Sequence, residues 1–182
     1  QYQTEFTPYQ ERVDAPFNLS RETRWRLLND SQQSVDFAGH LIGGCLDTIS
    51  WLAGTAYGNV PGFVKRSGDT GVIMYLENAD MNPCSLVRCL RSLRRHGWFD
   101  QLNGLLIGRN SGPEPEDKER LGYTDALRMV LGDLKYPILI DVDIGHRSPQ
   151  MTLVNGAYAV VNFEESGGTL SQNVPKLNAT TR

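Results

Sequence analysis

The chain has 182 residues, of which 40% are hydrophobic and 21% charged, and its net charge is −3. That length suits a single domain, the balance is that of a folded globular protein, and the mild acidity excludes a general attraction for nucleic acid or for an anionic membrane. No apolar run reaches the ~20 residues that a membrane-spanning helix needs.

Residues 1–23 are polar, include Pro8 and Pro16, show no strong period, and read as an extended arm or linker. Their start, Gln1-Tyr2-Gln3-Thr4-Glu5, has neither Met nor a signal-peptide pattern, as in a fragment, a processed product or a trimmed chain. Residues 24–28 and 35–42 read as short strands separated by the turn-like Asn29-Asp30-Ser31-Gln32-Gln33. Gly43-Gly44 is expected to break the backbone, after which Leu46, Ile49, Ser50 and Ala53 follow at helical spacing up to Gly54. Residues 59–69 mix Gly, Pro and charges and read as a loop, and residues 71–76 as a strand.

Residues 82–96 predict a helix, with Leu86, Cys89, Leu90 and Leu93 on one face, Arg88, Arg91 and Arg95 on the other, and Gly97 as its C-cap. Residues 102–107 read as a strand, 109–118 as a polar loop, 124–134 as a helix and 137–144 as the most apolar strand of the chain. Three short strands close the domain, at 151–154, 157–163 and 169–171, before a loose tail over 173–182. Strands that alternate with helices and end in hairpins predict a mixed α/β domain over 24–172, its mixed sheet covered by helices on one side.

Two titratable side chains sit just past apolar strands: Glu77 after residues 71–76, and His146 after residues 137–144 and Gly145. An imidazole can take and return a proton near neutrality, and a carboxylate can orient it and balance its charge. The ordinary alternatives are a connector histidine and a carboxylate favoured by the dipole of the next helix, although Asp80 or Asn82 suits the capping role better. Cys45 follows a diglycine at a helix start, where a thiol pKa can fall, so a Cys45–His146–Glu77 hydrolase is a further reading against that of a small packed side chain. A zinc site from Cys84, Cys89, His40 and His96 is weakly signalled, because no C-x-x-C pair is present. Three cysteines, an odd and small number, argue for reduced thiols and a cytoplasmic setting.

In order, the segments are Gly39-His40-Leu41-Ile42-Gly43-Gly44-Cys45-Leu46, Leu52-Ala53-Gly54-Thr55-Ala56-Tyr57 and Gly71-Val72-Ile73-Met74-Tyr75-Leu76-Glu77. They continue with Gly97-Trp98-Phe99-Asp100, Gly104-Leu105-Leu106-Ile107-Gly108, Gly145-His146 and Met151-Thr152-Leu153-Val154-Asn155-Gly156. This series resembles the C-terminal domain of the LD-carboxypeptidases, the serine peptidase family that includes the microcin C immunity protein, from about residue 24 to residue 170. The resemblance implies a small β/β/α swivelling domain that supplies the Glu and His of a Ser-Glu-His triad, at Glu77 and His146. The nucleophilic serine then lies in an N-terminal domain missing from this chain, with residues 1–23 as the linker from it, and the isolated chain is inactive. It also implies a homodimer without metal or other cofactor, and a muropeptide or peptidyl-nucleotide substrate cleaved at an amide next to a free carboxylate. One departure is Gly43-Gly44-Cys45 where the family has Gly-Gly-Asn. The rival reading is a non-catalytic dimerisation or partner-binding module, which predicts no contact between Glu77 and His146.

Overall fold

The computed structural model describes residues 1–8, 10–29 and 34–174. Most of the expected turn at 29–33 and of the expected tail at 173–182 therefore lies outside the described residues. Among the described residues, seven strands form one sheet: β1 (Arg26–Leu27), β2 (Val35–Cys45), β3 (Val72–Glu77), β4 (Gly104–Gly108), β5 (Ile138–Val142), β6 (Tyr158–Glu164) and β7 (Gly167–Asn173). Their spatial order is β1-β5-β4-β3-β2-β6-β7. The central pairs β2–β3, β3–β4 and β4–β5 are parallel, while β1, β6 and β7 add antiparallel flanks.

Among the described residues, four α-helices interrupt the strands: α1 (Leu46–Ile49), α2 (Val60–Ser67), α3 (Pro83–Arg95) and α4 (Tyr123–Leu131). Side chains alternate across a strand, so each strand feeds two cores. Val72, Met74 and Leu76 of β3 pack with Leu86, Leu90 and Leu93 of α3 and with Ala126, Leu127 and Val130 of α4. Ile73 of β3 joins Phe37, Leu41, Leu106, Leu139, Val161 and Phe163 on the opposite, concave face. There the sheet curls toward itself: Trp25, beside the β1 edge, lies so close to Gly168 in β7 that a Cβ at 168 would come within 2.0 Å of the indole. Mixed α/β architecture with helices on one face is thus what the chain adopts. None of the helices among the described residues is long and apolar enough to cross a membrane.

Several local features differ from the sequence expectation, each for a physical reason. Gly43-Gly44 does not break the chain, and β2 runs on to Cys45. A Cβ at position 43 would fall 1.7 Å from the Tyr75 carbonyl oxygen, so Gly43 is what lets β2 and β3 approach. The expected loop at 59–69 contains α2: Asn59 caps it by accepting from the Gly62 N–H, and Pro61 occupies the first turn, where its fixed φ is helix-compatible. The helix after Gly44 is only α1, prolonged by a 3₁₀ turn at Ser50–Leu52. Residues 151–154 make no ladder; Gln172 accepts from the Val154 N–H and donates to the Thr152 carbonyl instead. The extended arm makes contacts of its own: Tyr2 bridges to Arg21, and the Gln3 N–H donates to the Ser148 carbonyl. As expected, Asn82 caps α3 and its arginines Arg88, Arg91 and Arg95 face solvent.

A β-bulge sets the direction of the segment after β5. Leu106 pairs with Leu139 but Gly108 pairs with Val142, so β5 holds one extra residue, and Asp141 adopts φ 60° there. Ile138 and Ile140 face the helices, whereas Val142 and Ile144 join the concave core. A bulge of this kind re-aims the side chains that follow it, and Gly145-His146 follow it directly.

Candidate active site

The C-terminal ends of parallel strands are where open α/β sheets hold ligands, because loops diverge there and leave a crevice. Three of this chain's ends converge there. Cys45 and Glu77 are register partners at the ends of β2 and β3. Glu77 shares the concave face with Ile73 and Tyr75 by the two-residue alternation. His146 comes in from the loop after β5 and places Nδ1 3.0 Å from Glu77 Oε2.

A carboxylate accepts and does not donate, so the ring donates from Nδ1–H and leaves the Nε2 lone pair free. The Glu77 side chain is 7% exposed and that of His146 59%, which makes the carboxylate the fixed member and the imidazole the accessible one. The hydrogen bond to Glu77, opposed by partial desolvation and helped by the carboxylate charge, raises the His146 pKa above its usual 6.5. Gly145 adopts φ 101°, and a Cβ there would meet Glu77 Oε2 at 2.8 Å, so this turn requires glycine.

Around the pair is a cleft of about 430 Å³, lined in part by Gly44, Cys45, Tyr75, Ser148, Met151 and Leu153. Cys45 Sγ, a Glu77 oxygen and a His146 ring nitrogen all lie within 4.8 Å of one another. The residues of the cysteine-hydrolase reading are therefore together, but the electrostatics oppose it. Burial, reinforced by the hydrogen bond and charge of Glu77, pushes the Cys45 thiol up to about 11, so it is protonated at neutral pH and a poor nucleophile. Ser148 lines the cleft on the His146 loop itself and has no strand-to-helix elbow.

The zinc candidate does not assemble: among the described residues Cys84, Cys89, His40 and His96 form no common cluster. His40 Nδ1 donates to the Gly156 carbonyl and His96 Nδ1 to the Ser92 carbonyl, each in a local role. The cysteines are all free thiols.

What holds the pair in place was not readable along the sequence. Arg109, with a side chain 4% exposed, makes an ion pair of 2.5 Å with Asp143 and donates through Nη2 to the carbonyls of Arg147 and Pro149. It thereby grips the loop just C-terminal to His146. Asp143 also accepts from Thr23 Oγ1 and Trp25 Nε1, at 2.8 and 2.7 Å, and the Arg109 guanidinium lies 4.7 Å over the Tyr2 ring. On the Glu77 side, Asp47 of α1 accepts from the N–H groups of Ala79 and Asp80, and the fully buried Asn78 bonds Met81 and Asn110. The one sequence cue to Arg109 is a charged residue directly after the apolar run Gly104–Gly108.

The profile of the LD-carboxypeptidase C-terminal domain family matches residues 38–161. A Streptomyces coelicolor protein whose name carries the word carboxypeptidase is 30% identical over 139 residues, 76% of this chain and 41% of that protein. Microcin C7 self-immunity protein MccF of Escherichia coli is 22% identical over 134 residues, 74% of this chain and 37% of that protein. Among solved structures, muramoyltetrapeptide carboxypeptidase from Oxalobacter formigenes superposes with a TM-score of 0.65 at 22% identity, covering 82% of this chain and 49% of its own. An MccF-like protein from Streptococcus pneumoniae, solved in complex with AMP, gives 0.64 at 22% identity, over 94% of this chain and 50% of its own. These last two likenesses concern the fold. The chain spans about two fifths of the length of these curated relatives.

Proposed function

The chain belongs to the LD-carboxypeptidase C-terminal domain family, and from that premise we propose that it supplies the base and its orienting carboxylate to a serine-type carboxypeptidase. The observation that carries the reading is the contact of 3.0 Å between His146 Nδ1 and Glu77 Oε2 at the carboxyl end of the sheet. Glu77 fixes the tautomer and offsets the charge that forms on the ring, and His146 Nε2 takes a proton from the nucleophile and later returns it to the leaving amine. The nucleophile is a serine of a companion domain that faces the exposed ring of His146 and closes the cleft. The substrate is an amide next to a free carboxylate, in a muropeptide or a peptidyl-nucleotide. Without the companion domain and its oxyanion hole the chain is inactive. The working enzyme is a cytoplasmic homodimer, and free thiols are in keeping with a reducing compartment.

The rival reading as a non-catalytic module requires Glu77 and His146 to be apart, and they are in contact. Trp51 and Tyr57 are strongly exposed beside α1, a patch that either reading accommodates.

A pH profile of the intact protein, companion domain included, tests the proposal. The base must be neutral to act, and its pKa is raised by Glu77, so kcat/KM for a carboxylate-adjacent amide rises with pH along a limb centred above 6.5. Glu77→Gln removes that charge, so the same limb moves to lower pH while the plateau falls. The sign for stability is the opposite: a raised folded-state pKa favours the fold below about 6.5, and the benefit is lost as pH rises through the folded value. A limb that stays put in Glu77→Gln contradicts the assignment of the base.

A further inference from the structure

The third side chain at the site has no part in the proposed hydrolysis. Cys45 is the register partner of Glu77, and its sulfur shares with a Glu77 oxygen and a His146 nitrogen a space in which the three are within 4.8 Å of one another. One sulfur, one nitrogen and one oxygen are a zinc donor set. Tetrahedral zinc with bonds of about 2.0–2.3 Å holds its ligand atoms roughly 3.3–3.6 Å apart, a separation inside the 4.8 Å that bounds the three atoms here and reached from the 3.0 Å His146–Glu77 contact by a small widening. The fourth position opens on the cleft, where water can fill it. Two of the three donors are already fixed. Cys45 ends a paired strand, and Glu77 is 6% exposed at the end of the next one. His146 is the member on a loop, with a half-exposed ring free to adjust.

We propose that Cys45, Glu77 and His146 form an inhibitory site for Zn²⁺ or a similarly thiophilic divalent cation. The thiol gives its proton to solvent as the metal–sulfur bond forms, and no electron is transferred. The inhibition rests on the reading of His146 as the base. A metal on Nδ1 replaces the hydrogen bond to Glu77, and a metal on Nε2 takes the lone pair that accepts the proton. Either way the imidazole leaves the reaction. Hard cations such as Mg²⁺ and Ca²⁺, which require oxygen donors in greater number, are not held here.

The test is a Co²⁺ titration of the 182-residue chain, which reads coordination without any hydrolysis. The proposal predicts a near-ultraviolet thiolate-to-cobalt band together with the visible bands of a four-coordinate ion, displaced by Zn²⁺ and unaffected by excess Mg²⁺. Cys45→Ser abolishes the charge-transfer band and weakens Zn²⁺ binding by about 100-fold, while Cys84→Ser and Cys89→Ser keep both. His146→Gln, on an exposed ring whose loss leaves the core intact, lowers affinity by at least 10-fold and provides a second variant should Cys45→Ser fold poorly. Absence of a thiolate band, or a band that survives Cys45→Ser or follows Cys84 or Cys89, overturns the site. In the intact protein, Zn²⁺ inhibition reversed by a chelator completes the case. If Co²⁺ binds as described and that inhibition is absent, the metal site stands and the role of His146 as base fails.

Discussion

Replacing His146 by alanine in the intact protein is expected to lower kcat/KM for the proposed substrate, an amide next to a free carboxylate, by about 10⁴-fold or more. The size follows from what the ring does. Among the described residues lining the cleft, the other two candidates are poorly placed to replace it: Glu77 is buried against the ring, and the Cys45 thiol is held protonated. Water would have to serve as base, at the cost of most of the activation of the nucleophile. The fold should remain, because the ring is largely exposed and packs into neither core. Equal circular dichroism spectra and thermal midpoints for wild type and variant separate loss of chemistry from loss of structure. Activity within ten-fold of wild type would remove His146 from the reaction.

The second large effect concerns stability. Arg109→Ala is expected to destabilise the chain by about 3 kcal/mol, because it leaves the Asp143 carboxylate, 26% exposed, without its cation in a largely desolvated setting. For a domain of this size that is a drop in Tm of roughly 6–12 °C. The carbonyls of Arg147 and Pro149 lose their donor at the same time. The variant should therefore also lose activity at temperatures where it is still folded, as the loop that carries His146 relaxes. Arg26→Ala is the contrast. Its ion pair with Asp141 is equally short at 2.5 Å, but the Arg26 side chain is 54% exposed, so a loss under about 1 kcal/mol is expected. Thermal or urea unfolding of the two variants side by side decides it, and an Arg109→Ala protein as stable as Arg26→Ala would mean that the loop is held by its backbone alone.

Much of this site can be read in the sequence because it lies where strands end. Val72–Glu77 and Ile138–Val142 are apolar strands of ordinary length, and whatever polar residue follows such a strand emerges at the sheet edge. Glu77 and His146 stand out on that ground, and the order of the surrounding segments supports them. Which edge, and whether both side chains turn to the same face, is a matter of register and parity. Glu77 reaches the concave side by simple alternation from Ile73 and Tyr75. His146 reaches it through the extra residue around Asp141, and an Asp with φ 60° has no sequence signature in an apolar run. The Arg109–Asp143 pair is equally hidden, since its residues are 34 apart in the chain and joined only by the fold. The misread local elements share one cause. Asn59, Pro61 and Gly62 are punctuation by composition but a cap and first turn by position, and Gly43-Gly44 is a strand because Tyr75 leaves no room for a Cβ. Tertiary approach decided these cases, and the order of residues does not encode it directly.

The central claim is that Glu77 and His146 act as one unit, and a double-mutant cycle measures that unit directly. Intact wild type, Glu77→Gln, His146→Ala and the double variant are compared for kcat/KM on one carboxylate-adjacent amide. If the carboxylate works only through the ring, the double variant is no slower than His146→Ala alone, and the two single losses fail to add. Losses that multiply in full, with the double variant slower than either single by the other's whole factor, would show two independent side chains and contradict the account.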